Sequence, residues 1–404
     1  MKAKGNKTTR QSSMISFEKA YDIVMKSAFS MGSEEVSFTD SYGRVLIQDV
    51  ASDMDMPPFN KSSVDGFACR KSDLNMEITI VETIAAGQNP LKKISHGECS
   101  RIMTGAPVPS GADCVVMVED TEILPTGKMK FNGTYSKSNI SLRGEDVRKD
   151  EIVLRSGVCV RPQDIAIMAS VGCISVQVSK LPVVGIVSSG DELVEPDKKP
   201  GSSQIRNSNA YQLMAQAQMT GCPTKYYGIA GDDEQTTFGI VSRAVAECDL
   251  LLLTGGVSMG DFDFVPSVLE RAGIKILFSR VRVQPGKPTT FGVHPECLVF
   301  GLPGNPVSSF IQFELLVKPL IYKMMGYEWK PFTCELSMKE NYKRRSGDRL
   351  GFIPVYITSE REVLPVDYHG SAHITSFSGA HGIIAIPAGK THIEKGEIVS
   401  VRQI

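Results

Sequence analysis

Four consecutive leucines, Leu250 to Leu253, run straight into Thr254-Gly255-Gly256-Val257-Ser258-Met259-Gly260-Asp261-Phe262-Asp263. A short apolar run bounded by turn residues reads as a strand buried on both faces, the kind found in parallel sheets. Glycines at its end let a ligand approach the backbone closely. A helical stripe follows at Val265, Val268, Leu269 and Ala272. Its N-terminus favours anions, so the turn is expected to handle a phosphate-like group.

The flanking sequence keeps a strand–helix rhythm. Val183 to Val187 and Lys225 to Ile229 read as strands; Ala210, Leu213, Met214 and Ala217, then Phe238, Val241 and Val245, read as helices. Such order predicts an α/β region, a parallel sheet with helices on both faces. Cys297 to Phe300 reads as a further strand, and Pro306 to Met325 as one long helix bent at Pro319. Upstream, Phe17, Ala20, Tyr21, Val24 and Ala28 form one amphipathic stripe. Short β-rich pieces at Met76 to Val81 and Cys114 to Val118 suggest a small β domain. Ile152 to Leu154 and Ile174 to Val178 flank a helix opening at Pro162. After Trp329 the pattern is β again, at Leu350 to Ile357, Ile383 to Ile386 and Ile398 to Val401, a small barrel or sandwich.

At 404 residues the chain exceeds one ordinary core, so several domains are expected. A net charge of −1 argues against bulk binding to nucleic acid or to a membrane surface. No apolar run has the length of a membrane span, and no secretory signal pattern opens the chain. Nine cysteines stand singly, without CxxC or zinc spacing, which suits reduced thiols in the cytoplasm.

Ligands of open α/β sheets collect at the carboxyl ends of strands. Four loops qualify: Ser188-Ser189-Gly190-Asp191-Glu192, Gly231-Asp232-Asp233, the Thr254 to Asp263 turn, and Gly301 to Pro306. The first three carry acid. Carboxylates beside an anion repel it unless a divalent cation lies between, and magnesium suits that role. The plainer reading is that Asp232 and Asp261 cap helices. Pro285-Gly286-Lys287-Pro288 holds one lysine in a tight turn, either an oxyanion contact or an ordinary surface turn. No P-loop and no GxGxxG is present, which disfavours ordinary ATPase and NAD readings. Asp65-Gly66 reads as a hairpin turn or more, and Leu142 to Asp146 as a solvated charge run or more. His369 and His373 have helical metal spacing, but Gly370 and Ser371 argue against a helix, so no zinc is assigned.

Taken in order, PPFNKSSVDGFA, RIMTGAPVPSGAD, LRGEDV, SSGDEL, TGGVSMGDFDF, QPGKP and GLPGNPVSS resemble the molybdopterin molybdenumtransferase family, which includes bacterial MoeA, the gephyrin E-domain and its plant counterpart. The likeness runs over nearly the whole chain. It implies residues 14–49 with 147–181 as a segmented domain, 50–146 as a small β domain, 182–328 as a doubly wound molybdopterin-binding α/β domain, and 329–404 as a C-terminal β-barrel. It implies a homodimer whose active site is shared between subunits. The implied reaction inserts molybdate into adenylylated molybdopterin with Mg2+, releasing AMP. By position, the resemblance carries a metal-holding role to Glu192, Asp232 and Asp263, and an essential pair from the opposing subunit to Asp65 and Thr104. Arg143 and Asp146 would flank the cleft, and Gly255, Gly256 and Ser258 would cradle phosphate. Arg280 and Lys287 would offset oxyanions, with Arg349 and Ser371 at the rim. Bacterial relatives often carry lysine where this chain has Gln284; Arg282 or Lys287 would compensate. Two other readings stay open: a molybdopterin adenylyltransferase, whose turn would read Thr-Gly-Gly-Thr-Gly, and a non-catalytic scaffold of gephyrin type. Tungstate shares the charge and shape of molybdate.

Overall fold

The computed structural model describes residues 14–134, 136–231, 233–256, 265–367, 370 and 373–404. The chain divides into two compact units: Gly43–Val45 and Val178–Ile404 with the described part of Met1–Glu34, and Glu35–Tyr42 with Leu46–Gln177.

The leucine run forms the Leu250–Thr254 strand of the larger unit, and all five of its residues are buried. Successive side chains of a strand point to opposite faces. Leu250 and Leu252 therefore enter a core with Ala210, Leu213, Val307 and Ile311, while Leu251 and Leu253 enter another with Val241, Ala244, Val268 and Leu269. Each leucine buried this way contributes about 1.5–3 kcal/mol, so the strand alone anchors helices on both sides.

The sheet has six strands in the order Thr224–Ala230, Val184–Ser189, Leu250–Thr254, Leu298–Leu302, Thr290–Val293 and Lys275–Phe278. The first four are parallel, as expected. The last two are antiparallel to their neighbours, so the sheet is mixed rather than wholly parallel. Antiparallel strands need no helical crossover, so the strand–helix rhythm gave no sign of them. Phe278, Phe291 and Phe300 pack across this edge, with ring centroids 5.8 and 4.8 Å apart.

The long C-terminal helix of this region departs from expectation. Pro306–Gln312 is α-helical, Phe313–Val317 is π-helical, and Lys318–Met324 is α-helical again. The irregularity lies one turn before Pro319. Proline has no N–H for the carbonyl four residues back, and the chain accommodates the missing bond by slackening the preceding turn.

Beyond it, Leu350–Ile357 pairs with both Glu362–Pro365 and Gly382–Ile386. Gly382–Ile386 pairs with Ile398–Gln403, which pairs with Thr333–Met338, which returns to Glu362–Pro365. The five strands close into a barrel around Met338, Ile353, Val355, Val363, Ile384 and Val401, settling barrel against sandwich. Closure leaves no free edge. The Phe17–Lys26 helix also belongs to this unit; Ser16 caps it, and Ala20 and Val24 are fully buried.

The smaller unit is built on a four-stranded sheet ordered Thr79–Ile84, Glu98–Ile102, Gly66–Cys69 and Cys114–Met117. The Pro162–Ser170 helix opens as its sequence signals, with proline at the first turn and the Asp164 carboxylate accepting from Arg161 N at 2.9 Å. Among the described residues no helix is long and apolar enough to cross a membrane.

Candidate functional site

The carboxyl ends of Val184–Ser189, Leu250–Thr254 and Leu298–Leu302 open onto a cavity of about 670 Å³. Ser189, Glu192, Thr254, Gly255, Gly256 and Asn305 are in its wall. One side chain braces the loops: Asn209 Nδ2 donates to Thr254 Oγ1 and to Gly304 O, each at 2.8 Å. Gly255 has φ +87°, and a Cβ built there would sit 2.2 Å from Ser189 O. Only glycine lets the two strand ends approach this closely. The Ser189 hydroxyl and the Asn209 amide oxygen are buried in the wall without a partner among the described residues. Unsatisfied buried polar atoms are uncommon and costly, and they concentrate where a water, ion or ligand completes them.

Glu192 is exposed at the edge of this cavity, and its carboxylate has no protein donor among the described residues. Its backbone is fixed, with the carbonyl accepting from Ile205 N at 2.7 Å. The Glu192 carboxylate and the Ser189 hydroxyl, in the wall of one cavity, are hard oxygen donors of the kind that suits magnesium, an ion held through one or two carboxylates while keeping water and substrate oxygens. No group of three His, Cys, Asp or Glu side chains gathers as a metal cluster among the described residues. Asp232, Ser258, Asp263 and Ser371 lie outside the described residues, as do Asp261 and His369. The capping reading is realised one residue along: Asp233 caps the Glu234–Glu247 helix, accepting from Thr236 N at 2.7 Å, and its carboxyl is held below the usual range by the Thr236 side chain and then its amide. His381 Nδ1 accepts from Ile357 N at 2.9 Å, an internal barrel contact.

The cationic turn borders the same cavity, because Pro288 is in its wall and Lys287 is exposed beside it. Arg349 Nη1 donates to Val283 O at 3.1 Å, clamping the Val283–Gln284 strand that feeds the turn. That strand pairs with Leu350–Gly351 of the barrel. Arg280 is half-buried, and its carbonyl accepts from Ile15 N.

In the smaller unit, pairing of Gly66 with Ile102 brings the residues just before and just after these strands together. Asp65 Oδ1 consequently accepts from Thr104 N at 2.6 Å and from Thr104 Oγ1 at 2.8 Å. The backbone bond first, then the hydroxyl bond, hold the Asp65 carboxyl below the usual carboxylate range. Both residues are exposed. Asp65-Gly66 is thus no hairpin turn, since Gly66 opens a strand. Arg143 is not a free cation: its Nε donates to Asp55 Oδ2 at 2.6 Å, and its amide to Asn60 Oδ1 at 2.8 Å. Arg143 stands in the wall of a separate groove of about 820 Å³, whereas Asp65 and Thr104 do not. Asp146 is exposed, its amide donating to Met56 O at 3.0 Å.

Sequence reasoning placed Ser189 only within a candidate loop and missed Asn209 and Asp55. Asn209 carried a signal in hindsight, as a polar residue opening a helix on its buried stripe. Asp55 carried none, because its partner Arg143 is 88 residues away.

Three family descriptions match along the chain: the MoeA N-terminal region (domain I and II) over residues 15–172, a probable molybdopterin binding domain over residues 185–323, and the MoeA C-terminal region (domain IV) over residues 339–404. The chain is 33% identical over 397 residues to a molybdopterin molybdenumtransferase of Staphylococcus epidermidis, covering 96% of this chain and 95% of that one. It is 34% identical over 383 residues to a molybdopterin molybdenumtransferase of Bacillus subtilis (strain 168), covering 91% and 89%. Among solved structures, the molybdopterin biosynthesis MoeA protein from Pyrococcus horikoshii OT3 superposes with a TM-score of 0.84 at 28% identity, over 97% of this chain and 100% of that one. With the braced cavity, the mixed α/β sheet and the closed barrel in place, the chain belongs to the MoeA family of molybdopterin molybdenumtransferases, enzymes of molybdenum cofactor biosynthesis.

Proposed function

We propose that this protein inserts molybdate into adenylylated molybdopterin in the presence of magnesium, releasing AMP and leaving the molybdenum cofactor. One observation carries the reading: a glycine-walled cavity at three strand ends, with a carboxylate that has no donor among the described residues at one edge and a lysine turn at another. In the step, the two dithiolene thiols displace one oxide of molybdate as water, and one water cleaves the phosphoanhydride so that adenylate departs as AMP. Little covalent work falls to the protein, so positioning and charge neutralisation dominate.

The Gly255 and Gly256 backbone, with Ser258, would cradle a phosphate. Magnesium, when bound, neutralises diphosphate charge, and Glu192, Asp232 and Asp263 are the residues that would hold it. Lys287 and Arg280 would offset the incoming oxyanion, with Arg349 and Ser371 at the rim of the cleft. We further infer a homodimer in which Asp65, Thr104, Arg143 and Asp146 act on the cleft of the opposing subunit. The low carboxyl pKa of Asp65 supports its acting as a fixed anion that orients substrate through Thr104. Nine free cysteines support a reducing, cytoplasmic setting. The four-part division into residues 14–49 with 147–181, 50–146, 182–328 and 329–404 belongs to the same reading.

The test is AMP release from adenylylated molybdopterin supplied with molybdate and magnesium. Glu192→Gln should bind the adenylylated substrate yet release no AMP, and chelation should silence the wild type until magnesium is restored. Unchanged AMP release in the variant, or ATP consumption with pyrophosphate release by the wild type, would sink the proposal.

A further inference from the structure

The turn that carries Lys287 is fixed by three consecutive carbonyls. Pro285 O accepts from Gln312 Nε2 at 3.2 Å, Gly286 O from Thr289 Oγ1 at 2.7 Å, and Lys287 O from Val281 N at 3.0 Å. Thr289 and Gln312 are fully buried. Gln312 comes from the long helix and reaches the turn from beneath. A Cβ on Gly286 would lie 2.3 Å from Gln312 Nε2 and 2.7 Å from its Cδ, and Gly286 has φ +105°. Glycine is therefore required by the backbone angle and by the carboxamide packed against it.

Two further observations set Gln312 apart from an ordinary core residue. Its amide oxygen is buried with no partner among the described residues, and the amide cannot be turned over without placing that oxygen against Pro285 O. A buried glutamine half-satisfied in this way is a poor choice for packing alone. The helix also changes from α to π at the next residue, Phe313, the turn slackened ahead of Pro319, so Gln312 ends the regular α-helical segment; such turns are frequent at functional sites. Meanwhile the Gly286 and Lys287 amides donate to no acceptor among the described residues. With three of its carbonyls held by protein donors, the turn leaves the Gly286 and Lys287 N–H groups without an acceptor among the described residues next to the exposed Lys287 ammonium, a set of donors suited to a tetraoxo anion.

We propose that Gln312 is a positioning residue for the oxyanion: by holding the Pro285 carbonyl it sets the Gly286–Lys287 turn against the cavity edge. The inference rests on the reading of Lys287 above. It acts on the oxyanion alone, because Gln312 is not in the cavity wall.

The test measures AMP release as molybdate, magnesium and adenylylated molybdopterin are varied in turn. Gln312→Met keeps the length and volume of the side chain but removes the donor. It should raise the half-saturating molybdate concentration by about five- to tenfold, the loss of one hydrogen bond, with turnover at saturation and the other two half-saturation values unmoved. Lys287→Ala should show the same selective defect, and the double variant should be no worse than Lys287→Ala alone, since both act through one turn. Gln312→Leu, which also lacks the donor, repeats the test should the methionine variant fold poorly. Multiplying effects, or a Gln312 defect that falls on turnover or on all three half-saturation values alike, would overturn the positioning role. A Lys287→Ala variant with wild-type molybdate dependence would instead overturn the oxyanion reading, and the positioning role with it.

Discussion

Gly255→Ala is the sharpest perturbation the structure offers, because two independent costs converge on one methyl group. The residue sits at φ +87°, where an L side chain costs about 1–2 kcal/mol. The added Cβ would also stand 2.2 Å from the Ser189 carbonyl oxygen, a backbone atom that cannot swing aside. Relieving such overpacking costs about 1–3 kcal/mol more, so the total is about 2–5 kcal/mol. Relief must separate the ends of Val184–Ser189 and Leu250–Thr254, which form one wall of the cavity. Stability and AMP release should therefore fall together. Trp329 is the only tryptophan, lies in the larger unit and stacks on Tyr322, so its fluorescence in a urea titration reports the right part of the molecule. Gly239→Ala is the control: it lies mid-helix with open space around it and should gain about 0.5–1 kcal/mol from helix propensity. A Gly255→Ala protein within about 0.5 kcal/mol of wild type and with full AMP release would refute the reasoning, since that is the scatter of neutral surface changes.

Asp65→Asn should leave fold and secondary structure intact while cutting AMP release by about a hundredfold or more, the scale of losing one preorganised polar contact; normal release would remove Asp65 from the site. The Asp65–Thr104 contact also has a defined pH window. Its folded pKa is depressed below 3.8, so its contribution is fully present above that value and is lost as pH falls through the lower folded pKa. The Thr104 amide resonance should accordingly titrate with a midpoint below 3.8, and a midpoint at or above it would contradict the short bonds.

Local pattern announced most of the architecture. The leucine run, the helical stripes and the proline that opens Pro162–Ser170 each express periodicity or turn chemistry within a few residues, and each formed where expected. Glycine at 255 was equally legible as a place of close approach, though not which backbone atom it met. Tertiary structure decided what depends on distant partners. The antiparallel strands at Thr290–Val293 and Lys275–Phe278 and the closure of the barrel follow from how elements meet, and short sequence windows do not encode that. The same holds for the brace from Asn209, the tie between Arg143 and Asp55, and the reach of Gln312 beneath the Lys287 turn. A side chain's residue type is written in the chain, but its hydrogen-bond partner is chosen only when folding excludes water and leaves a buried polar atom few acceptors to satisfy it.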